Sequence, residues 1–227
     1  MFQALVSCAL SALIRSHEER AFLSFMRKNN FLYTGDEYHF RLGIFLTNSR
    51  YVQEFNAKSA TFKLGLNKFA CLTTAESKTM LGARRLQKDP LNARSLKTKG
   101  AAPDSIDWRE KSIVNAVKDQ GQCGSCWAFS AIQAQESQYA LIFGTLQSLS
   151  ESNLVDCAWE CKGCNGGWPW SGYDHVIVYQ KGKFMLEDDY PYQPVTGTCQ
   201  FDASKGVQTI TGYIEVDESE VDLKEKV

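Results

Sequence analysis

Asp119-Gln120-Gly121-Gln122-Cys123-Gly124-Ser125-Cys126-Trp127-Ala128-Phe129-Ser130 lies near the middle of the 227-residue chain, and the rest of the sequence is read outward from it. A turn-rich Gln-Gly-Gln-Cys-Gly-Ser segment runs into an apolar stretch with helical character over residues 126–143, closed by Gly144. The spacing puts Cys126 at a helix N-terminus. Unpaired N–H groups and the positive end of the helix dipole favour an anion there, and the thiolate, not the thiol, is the nucleophile. A free cysteine is more often a small buried residue. Here a second cysteine stands three residues earlier and a glutamine six residues earlier. Gln120 can donate its side-chain amide to an oxyanion that also takes the backbone N–H of Cys126.

The composition narrows the setting. With 25 basic and 26 acidic residues the net charge is −1, and no basic block points to nucleic acid or an anionic membrane. Eight cysteines are a high count. Cys161-Lys162-Gly163-Cys164 is a C-x-x-C, but histidines are sparse and a second C-x-x-C at zinc-ribbon spacing is missing, so disulfides in an oxidising compartment are preferred to a metal site. Residues 1–14 form an apolar run of signal-peptide length, too short to span a bilayer and followed by Arg15-Ser16-His17-Glu18-Glu19-Arg20. The expectation is a signal peptide over 1–15, with a buried first helix as the competing reading. No other stretch could cross a membrane.

Ser16 can cap a helix carrying Phe22, Phe25 and Met26 at helical spacing, ending near Asn29-Asn30. A second helix is predicted from Asp36. Within it Glu37, Arg41, Phe45, Asn48, Val52 and Asn56 step by four, four, three, four and four residues, one stripe on a helix turning about 100° per residue. Glu, Arg and two Asn suit fixed polar contacts better than a plain core face. Residues 62–70 alternate enough for a short strand, and Thr73-Thr74-Ala75-Glu76 fits a helix start. Residues 83–100 are rich in Arg and Lys, with little apolar periodicity, and read as an exposed linker and cleavage region. From Ala101 the composition shifts to aromatics, Gly and Cys. Ser150 can cap a short helix to about Cys157, the Gly163-Cys164-Asn165-Gly166-Gly167 cluster reads as a tight turn, and Pro169 suits the first turn of a helix with Gly182 past its end. Residues 207–216 look like strand with Gly212 inside, and 218–227 like the start of a helix.

Cys123-Gly124-Ser125-Cys126-Trp127 resembles the local signature of the papain and cathepsin peptidases. The likeness runs from about Ser16 to the end, closest to a cathepsin L-like precursor. It implies an α+β papain-like fold with a largely helical left lobe, most of the β-rich right lobe missing, and a helical inhibitory propeptide in front. The implied domains are propeptide 16–82, linker 83–100 and partial peptidase 101–227. By the same likeness Cys126 is the nucleophile and Gln120 the oxyanion donor, Cys123 pairs with Cys164 and Cys157 with Cys199, and Asn165, Gly166, Gly167, Trp168 and Pro169 line the substrate site. The stripe from Glu37 to Asn56 is similar to the family's propeptide pattern. Gly65, Asn67 and Phe69 match three positions of the next motif, whose fourth should be Asp and is Cys71. The propeptide of such a precursor lies along the cleft in the non-cleavable direction. Cys161 and Cys71 are left without partners; Cys161 is either a free thiol or competes with Cys164 for Cys123.

The resemblance implies a cysteine endopeptidase zymogen that forms a thioester acyl-enzyme, with no metal and no cofactor. It would act as a monomer on peptide and protein substrates, held in check by its own propeptide, in an acidic lysosome-like vesicle or outside the cell. The family's catalytic His and Asn are expected beyond Val227. Of the three histidines, His17 and His39 lie in the pro-region, and His175 is expected to pack within the first lobe. The other readings are a non-catalytic inhibitor of related peptidases and an inactive truncated copy.

Overall fold

The computed structural model describes residues 16–58, 60–84, 91, 93–94, 102–216 and 219–226. The expected signal peptide 1–15 with Cys8, and most of the expected linker 83–100, lie outside them. The chain forms two compact units that divide between Lys78 and Thr79.

In the first unit, α1 (Ser16–Lys28) and α2 (Gly35–Ala57) face each other, and α3 (Thr74–Thr79) closes it. The predicted stripe of α1 is buried: Phe22, Phe25 and Met26 join Leu42, Phe45 and Leu46 of α2 with Ala70 and Cys71. Phe45 of α2 packs against two rings of α1, with centroids 5.2 Å from Phe22 and 4.9 Å from Phe25. The polar members of the α2 stripe pin the returning chain. Asn48 Nδ2 donates to the Ala70 carbonyl at 2.8 Å, and the Asn56 carboxamide takes both the N–H and the carbonyl of Leu64, each at 2.8 Å. Arg41 donates to the Cys71 carbonyl at 3.1 Å and to Glu76 at 2.7 Å, and pairs with Glu37 at 3.4 Å. Backbone groups in a half-buried loop need partners, and side chains of the helix supply them.

The strand expected over 62–70 is replaced by turns and extended chain, because Asn56 and Asn67 take its backbone groups; Asn67 Oδ1 accepts the Phe69 N–H at 3.0 Å. Val52 is half-buried and Phe69 exposed. The helix start expected at Thr73-Thr74-Ala75-Glu76 is held by a capping pair, with the Thr73 N–H donating to Glu76 at 2.8 Å and the Glu76 N–H to Thr73 Oγ1 at 3.1 Å. Cys71 is wholly buried, its sulphur 3.4 Å from the Tyr33 hydroxyl.

The second unit holds α4 (Cys126–Phe143), α5 (Glu151–Cys157), α6 (Pro169–Tyr179) and α7 (Glu220–Lys226), with four short strands. Strand β1 (Ala93–Arg94) pairs in parallel with β4 (Tyr213–Ile214), and β2 (Lys183–Phe184) pairs antiparallel with β3 (Val207–Thr209). Trp127, Ala128, Ala131 and Ile132 of α4 meet Leu154 and Val155 of α5, Val176 of α6 and Phe184 in one core. Several predicted ends appear where their chemistry puts them. Gly144 ends α4 at φ 72°, and Ser150 Oγ accepts the Asn153 N–H at the start of α5. Gly182, expected as the C′ residue of α6, lies one position further on: Lys181 holds C′ at φ 53°, and Gly182, at φ 79°, donates its N–H to the Val176 carbonyl. Among the described residues no helix is long and apolar enough to cross a membrane, and no cluster of metal-ligating side chains occurs.

Beneath α4 and α5 lies a buried charge network. Lys118 Nζ donates to Glu136 at 2.8 Å, Glu151 at 2.7 Å and the Leu149 carbonyl at 3.1 Å, and both carboxylates are 1% exposed. Burial pulls the Lys118 ammonium toward neutrality, but the two carboxylates outweigh it and hold it above the usual lysine range. With one ammonium for two carboxylates, Glu151 Oε2 has no partner among the described residues, and burial, partly offset by Lys118, pushes the Glu151 carboxyl up to about 7.

Two outcomes are expected of stability measurements on the full chain. Because Glu151 titrates near 7 in the folded chain against an ordinary 4.5, its contribution is complete below about 4.5 and is lost as the pH rises through about 7. The parent should therefore gain on the order of 2 kcal/mol relative to Glu151→Gln as the pH falls across that window, read by thermal unfolding. Burial holds His175 below its ordinary value, an opposite trend that cancels in the difference. Glu76 behaves in the reverse sense: Arg41 and Thr73 hold its carboxyl down near 2, so its contribution is present above about 4.5 and is lost as the pH falls through about 2. Glu76→Gln should destabilise the first unit by about 1 kcal/mol, a value discounted for the exposed carboxylate. That gap should stay constant from neutral pH to about 4.5 in hydrogen exchange.

Candidate active site

Cys126 is the first residue of α4, half-buried, and its neighbours bring a turn, a glutamine and a stretch of backbone against it. Cys123 and Cys164 form a disulfide, and the Gly124 N–H donates to the Cys164 carbonyl at 2.9 Å, tying the loop before the helix to the glycine turn. The second disulfide joins Cys157 to Cys199. Trp127, beside the candidate nucleophile, donates its indole N–H to the Gly163 carbonyl at 3.1 Å. A Cβ on Gly167 would lie 2.7 Å from the Trp127 ring, so the turn passes over the indole only as glycine. Gly166 has a φ of 115°, open to glycine and rare for other residues.

Gln120 is half-buried, and its amide nitrogen uses both hydrogens: one bond goes to the Cys123 carbonyl at 2.7 Å, the other to the Met80 carbonyl at 2.8 Å. The first orients the carboxamide; the second shows where the amide offers a hydrogen to an oxygen. The same stretch of chain covers the sulphur, since the Gly82 N–H donates to Cys126 Sγ at 3.3 Å. Residues 82–84 also pair with the glycine turn: the Gly167 N–H donates to the Gly82 carbonyl at 2.8 Å and the Arg84 N–H to the Gly167 carbonyl at 2.9 Å, a parallel bridge centred on Ala83. Gly82 approaches so closely that a Cβ there would overlap the Gly124 carbonyl.

The predicted site residues thus gather unevenly. Cys126, Gln120, Gly166 and Gly167 meet around residues 80–84. Asn165 is exposed, while Trp168 and Pro169 are half-buried at the start of α6, with the Trp168 ring 5.5 Å from Trp170. His175 is buried on α6 with its ring 5.1 Å from Tyr179 and, among the described residues, no partner for Nδ1. Cys161 is buried and free, and burial pushes its thiol up to about 11. Two features have no local sequence signature. Residues 80–84 act through backbone groups at the site, and Tyr192 places its hydroxyl 2.9 Å from the Gln120 carbonyl and 2.7 Å from Ser125 Oγ.

Residues 102–227 match the papain family cysteine proteases, and residues 22–77 match the cathepsin propeptide inhibitor domain. The chain belongs to the papain family. Digestive cysteine proteinase 1 of Homarus americanus is 40% identical over 190 residues, covering 79% of this chain and 57% of that protein. Pro-cathepsin H of Mus musculus is 36% identical over 211 residues, covering 89% of this chain and 62% of that protein. Among solved structures, digestive procathepsin L 3 from the Tenebrio molitor larval midgut superposes with a TM-score of 0.81 at 32% identity, covering 93% of this chain and 70% of that one. The chain spans about three fifths of the length of these curated papain-family relatives. Its papain-like fold carries the propeptide in front, as those precursors do.

The cover over Cys126 gives a direct test. In Gly82→Ala the added methyl meets the Gly124 carbonyl, an overlap that costs about 1–3 kcal/mol. Lifting of residues 80–84 should then raise the rate of Cys126 alkylation by iodoacetamide about tenfold, read by mass spectrometry of the peptide carrying Cys126.

Proposed function

We propose that this chain is a zymogen form of a cysteine endopeptidase in which Cys126 attacks the peptide carbonyl and Gln120 with the Cys126 N–H receives the oxyanion. The observation that carries the reading is the convergence of the Gln120 amide and Cys126 Sγ on one short stretch of backbone, residues 80–82. The amide already binds a peptide carbonyl oxygen, that of Met80, so the site accepts the group on which negative charge would develop. Attack would form a thioester to Cys126 and expel the amine; water would then release the acid and regenerate the thiol. Asn165, Gly166, Gly167, Trp168 and Pro169 would line the substrate channel, with the Gly167 N–H and carbonyl holding extended peptide as they hold Gly82 and Arg84.

The same contacts support intramolecular inhibition. What faces the sulphur is the Gly82 N–H, a hydrogen-bond donor, not a carbonyl carbon, so the covering peptide is bound without being attacked. The parallel pairing at Ala83 agrees with a propeptide lying in the non-cleavable direction. The propeptide would comprise 16–82, the linker 83–100 and the peptidase part 101–227, and the polar α2 stripe with Gly65, Asn67 and Phe69 would shape the inhibitory unit. Two disulfides fit a secretory route ending in an acidic vesicle or outside the cell.

Turnover also needs an imidazole to activate the thiol and protonate the leaving amine. His175, buried against Tyr179, makes no hydrogen bond to Cys126 among the described residues, and in this reading the base comes from sequence outside this chain. A second reading, that the chain inhibits related peptidases, is favoured by the first unit having its own closed core. Added to an active papain-type peptidase, the full chain would then slow hydrolysis of a peptide substrate, and no slowing at micromolar concentration removes this reading.

A thiol-directed peptidyl epoxide tests the peptidase reading. At mildly acidic pH it should label Cys126 slowly in the full chain, faster in Gly82→Ala, and not at all in Cys126→Ser. Labelling that ignores Cys126→Ser would place the reactive thiol elsewhere and end the proposal.

A further inference from the structure

The Tyr192 hydroxyl joins two points of the loop that delivers the candidate catalytic groups. It donates to the Gln120 carbonyl at 2.9 Å and lies 2.7 Å from Ser125 Oγ. A phenol has one hydrogen, and that one is committed to Gln120, so Ser125 is the donor in the second bond. The result is a directed relay, Ser125 O–H to Tyr192 O–H to the Gln120 carbonyl. Ser125 is fully buried and immediately precedes Cys126, so its hydroxyl finds in Tyr192 the partner that burial demands. The tyrosine ring is itself held, edge-on to Phe129 with centroids 4.8 Å apart, and the Tyr192 N–H donates to Glu187 Oε1 at 2.8 Å.

Other restraints act elsewhere on this loop, among them the Gly121 N–H, which donates to Asp119 at 2.9 Å. The disulfide and the Gly124 bond hold residues 123 and 124 to the glycine turn, and the Gln120 amide reaches the Cys123 carbonyl. Tyr192 ties the main chain of Gln120 to the residue before Cys126. We propose that Tyr192 is a positioning residue of the oxyanion site, setting the spacing between the Gln120 carboxamide and the Cys126 N–H so that both donors converge on one oxygen. Among the described residues it makes no hydrogen bond to Cys126 Sγ, which instead accepts from the Gly82 N–H. Its effect falls on the step in which charge appears on the oxygen and not on the nucleophilicity of the thiol, a separation that a general loss of packing would not produce.

The inference rests on the peptidase reading and is tested in the protein as its source produces it, once the propeptide has been removed. Removing an oxyanion donor costs roughly a hundredfold to a thousandfold in kcat, and a donor left in place but loosely held should cost less, about tenfold. Tyr192→Phe keeps the ring and its contact with Phe129. It should lower kcat for a peptide amide about tenfold with KM unchanged and lower the melting temperature slightly, since the buried Ser125 hydroxyl loses its partner, while the rate of Cys126 alkylation by iodoacetamide, a reaction that builds no oxyanion, stays as in the parent. Ser125→Ala, which removes the relay's first donor, should shift kcat in the same direction. Added to Gln120→Ala, Tyr192→Phe should cost little more, because the donor it positions is gone. A parent-like kcat in Tyr192→Phe, or a fall in alkylation in step with kcat, overturns the positioning role. Absence of Cys126-dependent turnover in the parent itself overturns the peptidase reading beneath it.

Discussion

The second unit depends on one packing arrangement, the burial of Trp127 beneath the glycine turn. The indole is 1% exposed, its N–H is taken by the Gly163 carbonyl, and its ring occupies the space that side chains at Gly167 and Gly172 would need. Truncating such a side chain costs about 3–5 kcal/mol, so this contact is among the strongest single tethers available to a unit of this size. Because Trp127 follows Cys126, seating the indole also seats the sulphur beside the turn. The Cys123–Cys164 disulfide and the Gly124 bond then brace the same junction from the loop side.

That junction explains why the covering segment is built of backbone. A passage bounded by Gly124 on one side and Gly166 and Gly167 on the other admits main chain and little else, and Gly82 fills it with its own atoms. Backbone hydrogen bonds to the turn, the glutamine amide and the thiol give it specificity without a large side-chain anchor over the sulphur. Behind the site, the Lys118 network with its surplus of carboxylate is best satisfied when one proton is added, so acidity favours that part of the fold. The Arg41–Glu76 pair of the first unit is ionised over most of the acidic range. The two units therefore meet acid with different chemistry.

Much of this was legible in the sequence. The start of α4 at Cys126 and its end at Gly144, the Ser150 cap, Pro169 at the start of α6 and the Thr73–Glu76 capping pair all follow from residues within four positions of one another, where geometry is nearly independent of the rest of the chain. The α2 stripe was legible as polar and fixed, and the structure adds what fixes it: carbonyls at 64, 70 and 71. The strand expected at 62–70 misled because alternation signals a strand only when a neighbour takes its backbone groups, and here Asn56 and Asn67 take them.

The sequence by itself determined the chemistry of the site: a cysteine at a helix start, a glutamine six residues before it, and glycines where the chain must pass close by. Only the tertiary structure decided that residues 80–84, read as the end of one domain and the start of a linker, lie on the sulphur, and that Tyr192 joins Gln120 to Ser125 across about seventy residues of chain. The physical reason is common to both. A backbone N–H carries no side-chain signature, and a tyrosine hydroxyl acquires its role from the two groups that happen to fold within 3 Å of it. Neither can be read from neighbours in sequence.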